Sequence, residues 1–300
     1  MSKIATPFVS VIIPVYNDQL RLKTCLQALE RQTYPPNSYE VIVVDNGSAE
    51  SIEPVVAEFS HAKAASEPQP GSYAARNKGL SRARGEVIAF TDADCIPAPD
   101  WIARGVANLA RVPNCGIVGG KLEPVFKDPE HPTALELYEV IMYFPQKRFV
   151  ELMKFSVTAN LFTFKQVFEH VGAFERVLKS GGDREWGQRA AVLGHPLMYA
   201  DDVRVFHPAR CSFGQLRQKV IRLAGGYEDL TRKNNVGWKG RNLESLINYL
   251  PPVMTVIRIG STQRVNATEQ IKVILIWVVM KSVEIKERLR LKLWRGETAR

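Results

Sequence analysis

The sequence predicts an α/β protein with a mostly parallel central sheet flanked by helices, and three observations predict it. Short apolar runs alternate with stretches whose apolar residues recur every three or four positions, the strand–helix order that right-handed crossovers wind into a parallel sheet. The runs are apolar on both faces, as strands covered by helices on each side tend to be. Polar residues follow three of these runs directly, and in such sheets ligands sit outside the carboxyl ends of the strands.

Val9–Val15 is the first strand and runs into the polar turn Tyr16-Asn17-Asp18. Leu22, Cys25, Leu26 and Leu29 form the inward stripe of a helix that ends near Gln32, and Pro35-Pro36-Asn37-Ser38 breaks the chain. Residues 40–45 are the second strand, closed by the turn Asn46-Gly47-Ser48. A helix over 51–59 and a short strand over 62–67 come next. Gly71-Ser72 caps a helix over 73–84, which leads into the central apolar run Val87-Ile88-Ala89-Phe90 and its exit, Thr91-Asp92-Ala93-Asp94-Cys95.

A helix from Asp100-Trp101 to before Pro113 and a strand over 116–120 continue the pattern. The stretch 126–154, with prolines at 129, 132 and 145 around a helix Ala134–Tyr143, is either an active-site border or a plain surface excursion. Residues 156–164 read as a strand containing Thr158-Ala159-Asn160, 165–170 as a short helix, and 203–208 as a last short strand.

The chemistry-bearing residues gather at three places. Asp92 and Asp94, one residue apart at a strand exit, can turn two hard oxygen ligands to one point, which is how a divalent cation is held; equally, they can cap the following turn or helix. In Ser180-Gly181-Gly182-Asp183-Arg184-Glu185-Trp186, two acids at a helix start suit the helix dipole, or the double glycine presents Asp183 to a cleft with Trp186 as a stacking surface. His207 ends the last strand, as a structural histidine or a ligand.

Three hundred residues suffice for a large domain with an appendage. No apolar run is long enough to span a bilayer, and the first eight residues lack the apolar core of a signal peptide, so a cytoplasmic protein is expected. Four scattered cysteines fit reduced thiols, and the sequons at Asn46 and Asn266 are then accidental. The net charge of +9 is unevenly spread: residues 204–300 carry 19 basic and 7 acidic side chains, leaving the first 203 slightly acidic. Such a tail suits an anionic partner, lipid headgroup or nucleic acid, or is simply a solvated face.

With these residues assembled, the chain resembles the family 2 glycosyltransferases of the GT-A fold. VSVIIPVYND, VIVVDNGS, GSYAARNKGLSRARGEVIAFTDADC and SGGDREWGQR occur in that family's order and spacing, over about residues 10–207. The resemblance implies an inverting enzyme that uses a nucleotide-sugar donor, a UDP-sugar first, and Mn²⁺ or Mg²⁺. It implies that Pro14, Tyr16 and Asn17 line the nucleoside pocket, that Asp45 binds base or ribose, and that Arg76 lies near the donor. Asp92 and Asp94 match the Asp-x-Asp that holds the sugar nucleotide and the metal, with Asp94 closer to the ion and Asp92 closer to the ribose. His207 sits where many members place a third ligand. Asp183 matches the catalytic aspartate, with Glu185 as the fallback, and Trp186 and Asn160 as candidates on the acceptor side. In one departure, the family commonly has Glu-Asp where this chain has Gly182-Asp183. The Gln-x-x-Arg-Trp of processive synthases is missing, which favours single additions.

The expected domains are a catalytic body over 1–210, with the donor half at 1–120 and the acceptor side at 121–210, and a basic helical extension over 211–300. An amphipathic helix over 212–232, an apolar stretch over 246–259 broken by Pro251-Pro252, an apolar segment over 271–280 and a basic helix over 281–295 suggest a peripheral anchor on the inner face of the cell membrane. There the enzyme would meet a glycan or lipid-linked acceptor in polysaccharide or glycoconjugate biosynthesis. Packing of those helices on the body or on a second subunit, as a homo-oligomer, is the alternative. Three other functions compete. A sugar nucleotidyltransferase shares the fold but needs a Gly-rich, basic loop after the first strand, which Pro14-Val15-Tyr16-Asn17 is not. An Asp-x-Asp phosphotransferase of the haloacid-dehalogenase type carries its pair after the first strand, unlike here. A nucleic-acid-binding module is suggested only by the basic tail and has no recognised motif behind it.

Overall fold

The computed structural model describes residues 6–233 and 266–293. Eight strands form one sheet in the order β3-β2-β1-β4-β7-β6-β8-β5: β1 Val9–Val15, β2 Tyr39–Asp45, β3 Ala62–Ser66, β4 Val87–Phe90, β5 Ile96–Pro97, β6 Ile117–Val125, β7 Leu161–Phe164 and β8 Leu197–Pro208. The half made by β3, β2, β1 and β4 is parallel. The other half turns antiparallel, β7 against β4, β6 against β7 and β5 against β8, so the sheet is mixed.

The helices α1 (Gln19–Glu30), α2 (Glu53–Val56) and α3 (Ser72–Arg82) are the crossovers of the parallel half. They cover β1 and β2 so fully that Val11, Ile13 and Val43 have no exposure, which is why those strands read as unbroken apolar runs. α4 (Trp101–Arg111) packs against β7 and β8 through Trp101, Ile102 and Leu109. Downstream of β6 come α5 (Ala134–Tyr143), α6 (Gln146–Met153), α7 (Lys165–Val171) and α8 (Gly182–Val192), and after β8 come α9 (Phe213–Lys233) and α10 (Ala267–Leu293).

The chain divides into two compact units. One comprises residues 1–123, 145–177 and 182–208 and carries the sheet; the other comprises 124–144, 178–181 and 209–300. The core of the second unit joins Leu137, Tyr138 and Ile141 of α5, Leu216 and Val220 of α9, and Val273, Trp277 and Met280 of α10. α5 starts with a full capping box, Thr133 and Glu136 satisfying each other's backbone N–H.

Several elements differ from expectation. Thr158-Ala159-Asn160 forms a 3-10 turn, and only Leu161–Phe164 is strand. β8 is twelve residues long and not a short end strand, because it pairs with β5 and neighbours β6 in the sheet. The apolar segment 271–280 and the basic segment after it are one helix, α10, whose buried face runs through both. The stretch 246–259 lies outside the described residues, and among the described residues no helix is long and apolar enough to cross a membrane.

Candidate active site

The parallel register sets Val15 beside Asp45, so the exits of β1 and β2 lie level. Asn17, in a left-handed conformation (φ 51°) that asparagine tolerates better than most residues, follows β1. Its Oδ1 accepts from the Ala49 N–H at 2.8 Å, its own N–H donates to Ser48 Oγ at 2.8 Å, and Asp45 Oδ1 accepts from the Ser48 N–H at 3.2 Å. These two predicted nucleoside residues thus spend part of their hydrogen-bonding capacity bracing the loop between the strand ends. Tyr16 is half exposed beside them, and Pro14 closes the strand. Asn46 binds Glu67 O, Gln69 O and the Gly71 N–H, which ties the end of β2 to the start of α3.

Beyond β4, Asp92 and Asp94 lie in a turn closed by the Cys95 N–H donating to Asp92 O at 3.1 Å. The short pairing of β5 with β8 sets Ile96 opposite Phe206 and Pro97 opposite Val205, which brings His207 alongside Cys95 and Asp94. Ligand atoms of Asp92, Asp94, Cys95 and His207 all lie within 4.8 Å of one another. His207 Nδ1 donates to Pro208 O at 2.9 Å, which fixes the ring and sets Nε2 4.0 Å from Asp94 Oδ1. Two carboxylates and an imidazole held this way suit a divalent cation that prefers oxygen ligands. Burial, with Asp94 and Asp92 beside it, pushes the Cys95 thiol well up and keeps it protonated.

Two arginines, one of them unforeseen, frame the cluster. Arg21 Nη1 lies 3.7 Å from Asp94, while Arg76 Nη2 sits 2.5 Å from Asp92 Oδ1. Arg76 is buried, and its Nε has no hydrogen-bond partner. Asp183, near the N-terminus of α8, accepts on Oδ1 from the Arg184 N–H at 2.9 Å and from the Tyr73 hydroxyl at 3.0 Å. Desolvation raises its pKa, against the opposing pull of the Arg184 N–H, Arg76 and Tyr73.

Residues 10–172, more than half of the chain, match the pattern of Glycosyl transferase family 2. This chain belongs to that family. The glycosyltransferase is 41% identical over 225 residues to glycosyltransferase AglE of Haloferax volcanii, which covers 73% of each chain. It is 39% identical to the putative glycosyltransferase EpsH of Bacillus subtilis over 101 residues, 32% of this chain and 27% of that one. Among solved structures it resembles the mannosyltransferase PcManGT of Pyrobaculum calidifontis in complex with GDP-Man and Mn²⁺, at 19% identity and a TM-score of 0.65, covering 97% of this chain and 88% of that one. It also resembles S. aureus TarS 1-349 in complex with UDP, at 17% identity and a TM-score of 0.54, covering 94% and 91%. The fold is therefore GT-A, and the protein is an enzyme of glycosyl transfer.

The two acceptor-side candidates of this glycosyltransferase, and its fallback base Glu185, are engaged elsewhere. Asn160 is fully buried and binds the Trp101 indole N–H, Lys121 O and Val203 O, locking the 3-10 turn to α4, β6 and β8. Trp186, also fully buried, stacks on Phe168 with ring centroids 4.3 Å apart and donates to Gly172 O, so it offers no sugar platform. Glu185 is held by Arg189 at 2.9 Å, itself anchored on the carbonyls of Val171 and Ala173, which makes it a poor substitute base. Tyr73 and Arg21, the unforeseen contacts of Asp183 and Asp94, left one weak trace in the sequence: the glycine at 182.

Proposed function

We propose that this enzyme moves one sugar, with inversion, from a nucleoside diphosphate sugar, a UDP-sugar first among donors, to a hydroxyl of a glycan or lipid-linked acceptor. Asp92, Asp94 and His207 hold Mn²⁺ or Mg²⁺, and Asp183 is the base. The observation that carries this reading is the gathering of Asp92, Asp94 and His207 at one point, within the same unit as a half-buried Asp183. Asp94, which faces His207, is the better direct ligand, while Asp92 is occupied by Arg76. The partnerless Nε of Arg76 suits a phosphate oxygen of the donor. Tyr16, Asn17, Asp45 and Pro14, at the exits of β1 and β2, would contact the nucleoside, with residues 1–120 as the donor half and 121–210 as the acceptor side.

A bound divalent cation supplies Lewis-acid stabilisation of the charge that develops on the leaving diphosphate. The chain's own part is positioning and proton transfer. Asp183 takes the proton of the acceptor hydroxyl as that oxygen bonds to the anomeric carbon; the bond to the diphosphate oxygen breaks, and its electron pair leaves with the diphosphate. A single displacement inverts the configuration.

The test is release of nucleoside diphosphate from UDP-, GDP- and dTDP-sugars with Mn²⁺ and an extract of polyprenyl-linked glycans as acceptor. Asp183→Asn and Asp94→Ala should each lose roughly 10²-fold or more in kcat. Unchanged turnover in both variants would sink the mechanism.

α10 supports peripheral contact with an anionic membrane, on the inner face of the cell membrane. Opposite its buried face it exposes Ile271, Leu275, Val278 and Leu289, and its exposed charges, Lys272, Lys286, Arg290 and Lys292, are all cationic. An apolar stripe rimmed only by cations complements anionic lipid and repels a second copy of itself. Full-length protein should co-sediment with phosphatidylglycerol vesicles and not with phosphatidylcholine alone, and Leu275→Glu with Val278→Glu should release it. A salt-insensitive dimer with no vesicle binding would favour the homo-oligomer instead.

A further inference from the structure

We infer that Tyr73 is a positioning residue for Asp183, and that Gly182 is the residue that permits it. The inference rests on the reading of Asp183 as the base. A Cβ at position 182 would stand 2.8 Å from Cδ2 and Cε2 of the Tyr73 ring and 2.9 Å from its Cζ. Carbon atoms in contact need about 3.5 Å or more, so a side chain at 182 and the ring of Tyr73 exclude each other. This chain has glycine at 182, and the space a side chain there would need is occupied from α3 by the ring of Tyr73.

The ring is fixed from several sides. It is buried, tilted against Phe174 at 5.6 Å between centroids, with the Arg76 guanidinium 5.5 Å from its centre. Its hydroxyl therefore reaches Asp183 Oδ1 from a rigid mount at 3.0 Å, and the Arg184 N–H approaches the same oxygen at 2.9 Å. With Oδ1 committed to two donors, Oδ2 is the oxygen left to receive the acceptor's proton, and the carboxylate plane is set. Tyr73 touches neither sugar nor leaving group in this scheme; it acts through Asp183.

The groups that bear on the proton affinity of Asp183 are Tyr73 and Arg76 from α3, Asp92 from the turn after β4, and the Arg184 N–H of its own helix. Tyr73, Arg76 and Arg184 hold the affinity down, while Asp92 and burial raise it. Removing the hydroxyl must therefore raise it.

Tyr73→Phe, which keeps the ring, is expected to lower kcat about tenfold, leave KM for the donor within about twofold, and move the acid limb of the pH–rate profile to higher pH. Gly182→Glu should lose more, and Tyr73→Ser in that background should recover part of the loss, a non-additivity that only a shared volume produces. Asp183→Asn, run alongside, separates the two claims. If it retains activity, the base is misassigned. If it is inactive while Tyr73→Phe keeps wild-type kcat and an unmoved acid limb, the role of Tyr73 alone is overturned.

Discussion

Asp94 and Glu139 are both carboxylates that the fold sets beside positive or titratable groups, yet they solve opposite problems. Glu139, in the second unit, is fully buried and satisfied: Arg210 Nη1 lies 2.5 Å away, Lys219 Nζ 2.7 Å, and the Arg210 N–H donates to its other oxygen. Burial alone would raise its pKa, but Lys219 and Arg210 outweigh that and hold it below the ordinary range. Asp94 has Arg21 and His207 at 3.7 Å and 4.0 Å, outside hydrogen-bonding range, accepts a weak thiol hydrogen bond from Cys95 at 3.8 Å, and has Asp92, a second carboxylate, beside it. Ligands on one small cation stand about 3–4 Å apart around bonds of roughly 2.1 Å. The closed cluster is a structural staple, and the open one keeps the spacing of a ligand shell.

The sharpest way to break this contrast is to remove each carboxylate and compare stability with activity. Glu139→Ala strands two partly buried cations and should cost about 3–5 kcal/mol in chemical denaturation. Asp94→Asn should instead leave the melting temperature unchanged or slightly higher, since it relieves repulsion with Asp92, while activity falls roughly 10²-fold. Equal destabilisation by the two variants would erase the distinction.

A smaller effect should appear with pH. Burial, and then Arg210, pull Lys219 down to about 8 against the attraction of Glu139, because two cations share one anion. The unfolded chain then holds more protons than the folded one from about pH 8 up to the ordinary lysine value near 10.4, so this group's contribution to stability rises across that window and is lost as pH falls through 8. Replacement by methionine should flatten that part of the stability–pH curve, whereas Arg21→Ala beside the open cluster should leave it unaltered.

What was legible in the sequence follows from the same physics. β1, β2 and β4 could be read because burial on both faces makes each a local, uninterrupted apolar signal, and Asp92-Ala93-Asp94 because it stands at the exit of one. Asn160 and Trp186, the latter open between sugar stacking and packing, could not be decided from sequence, since a polar or aromatic residue looks the same whether its partner is substrate or a backbone carbonyl, and theirs are Lys121, Val203 and Gly172. Tyr73 reads as an ordinary residue of an amphipathic helix because its hydroxyl finds its partner 110 positions away. Composition alone splits α10 where it turns basic, although its buried positions run on through Glu287, Arg288 and Leu291.

The two-residue pairing of β5 with β8 has a consequence for assembly. It joins the turn after β4 to the last strand of the sheet, a contact between distant parts of the chain that carries a high loop-closure cost and belongs among the later ones to form. A cation shared by Asp94 and His207 would therefore bind only a finished sheet, and mass action would add about 2.7 kcal/mol to its stability at a hundredfold excess over Kd. Metal uptake during refolding would then report the docking of β8 before any sugar is transferred.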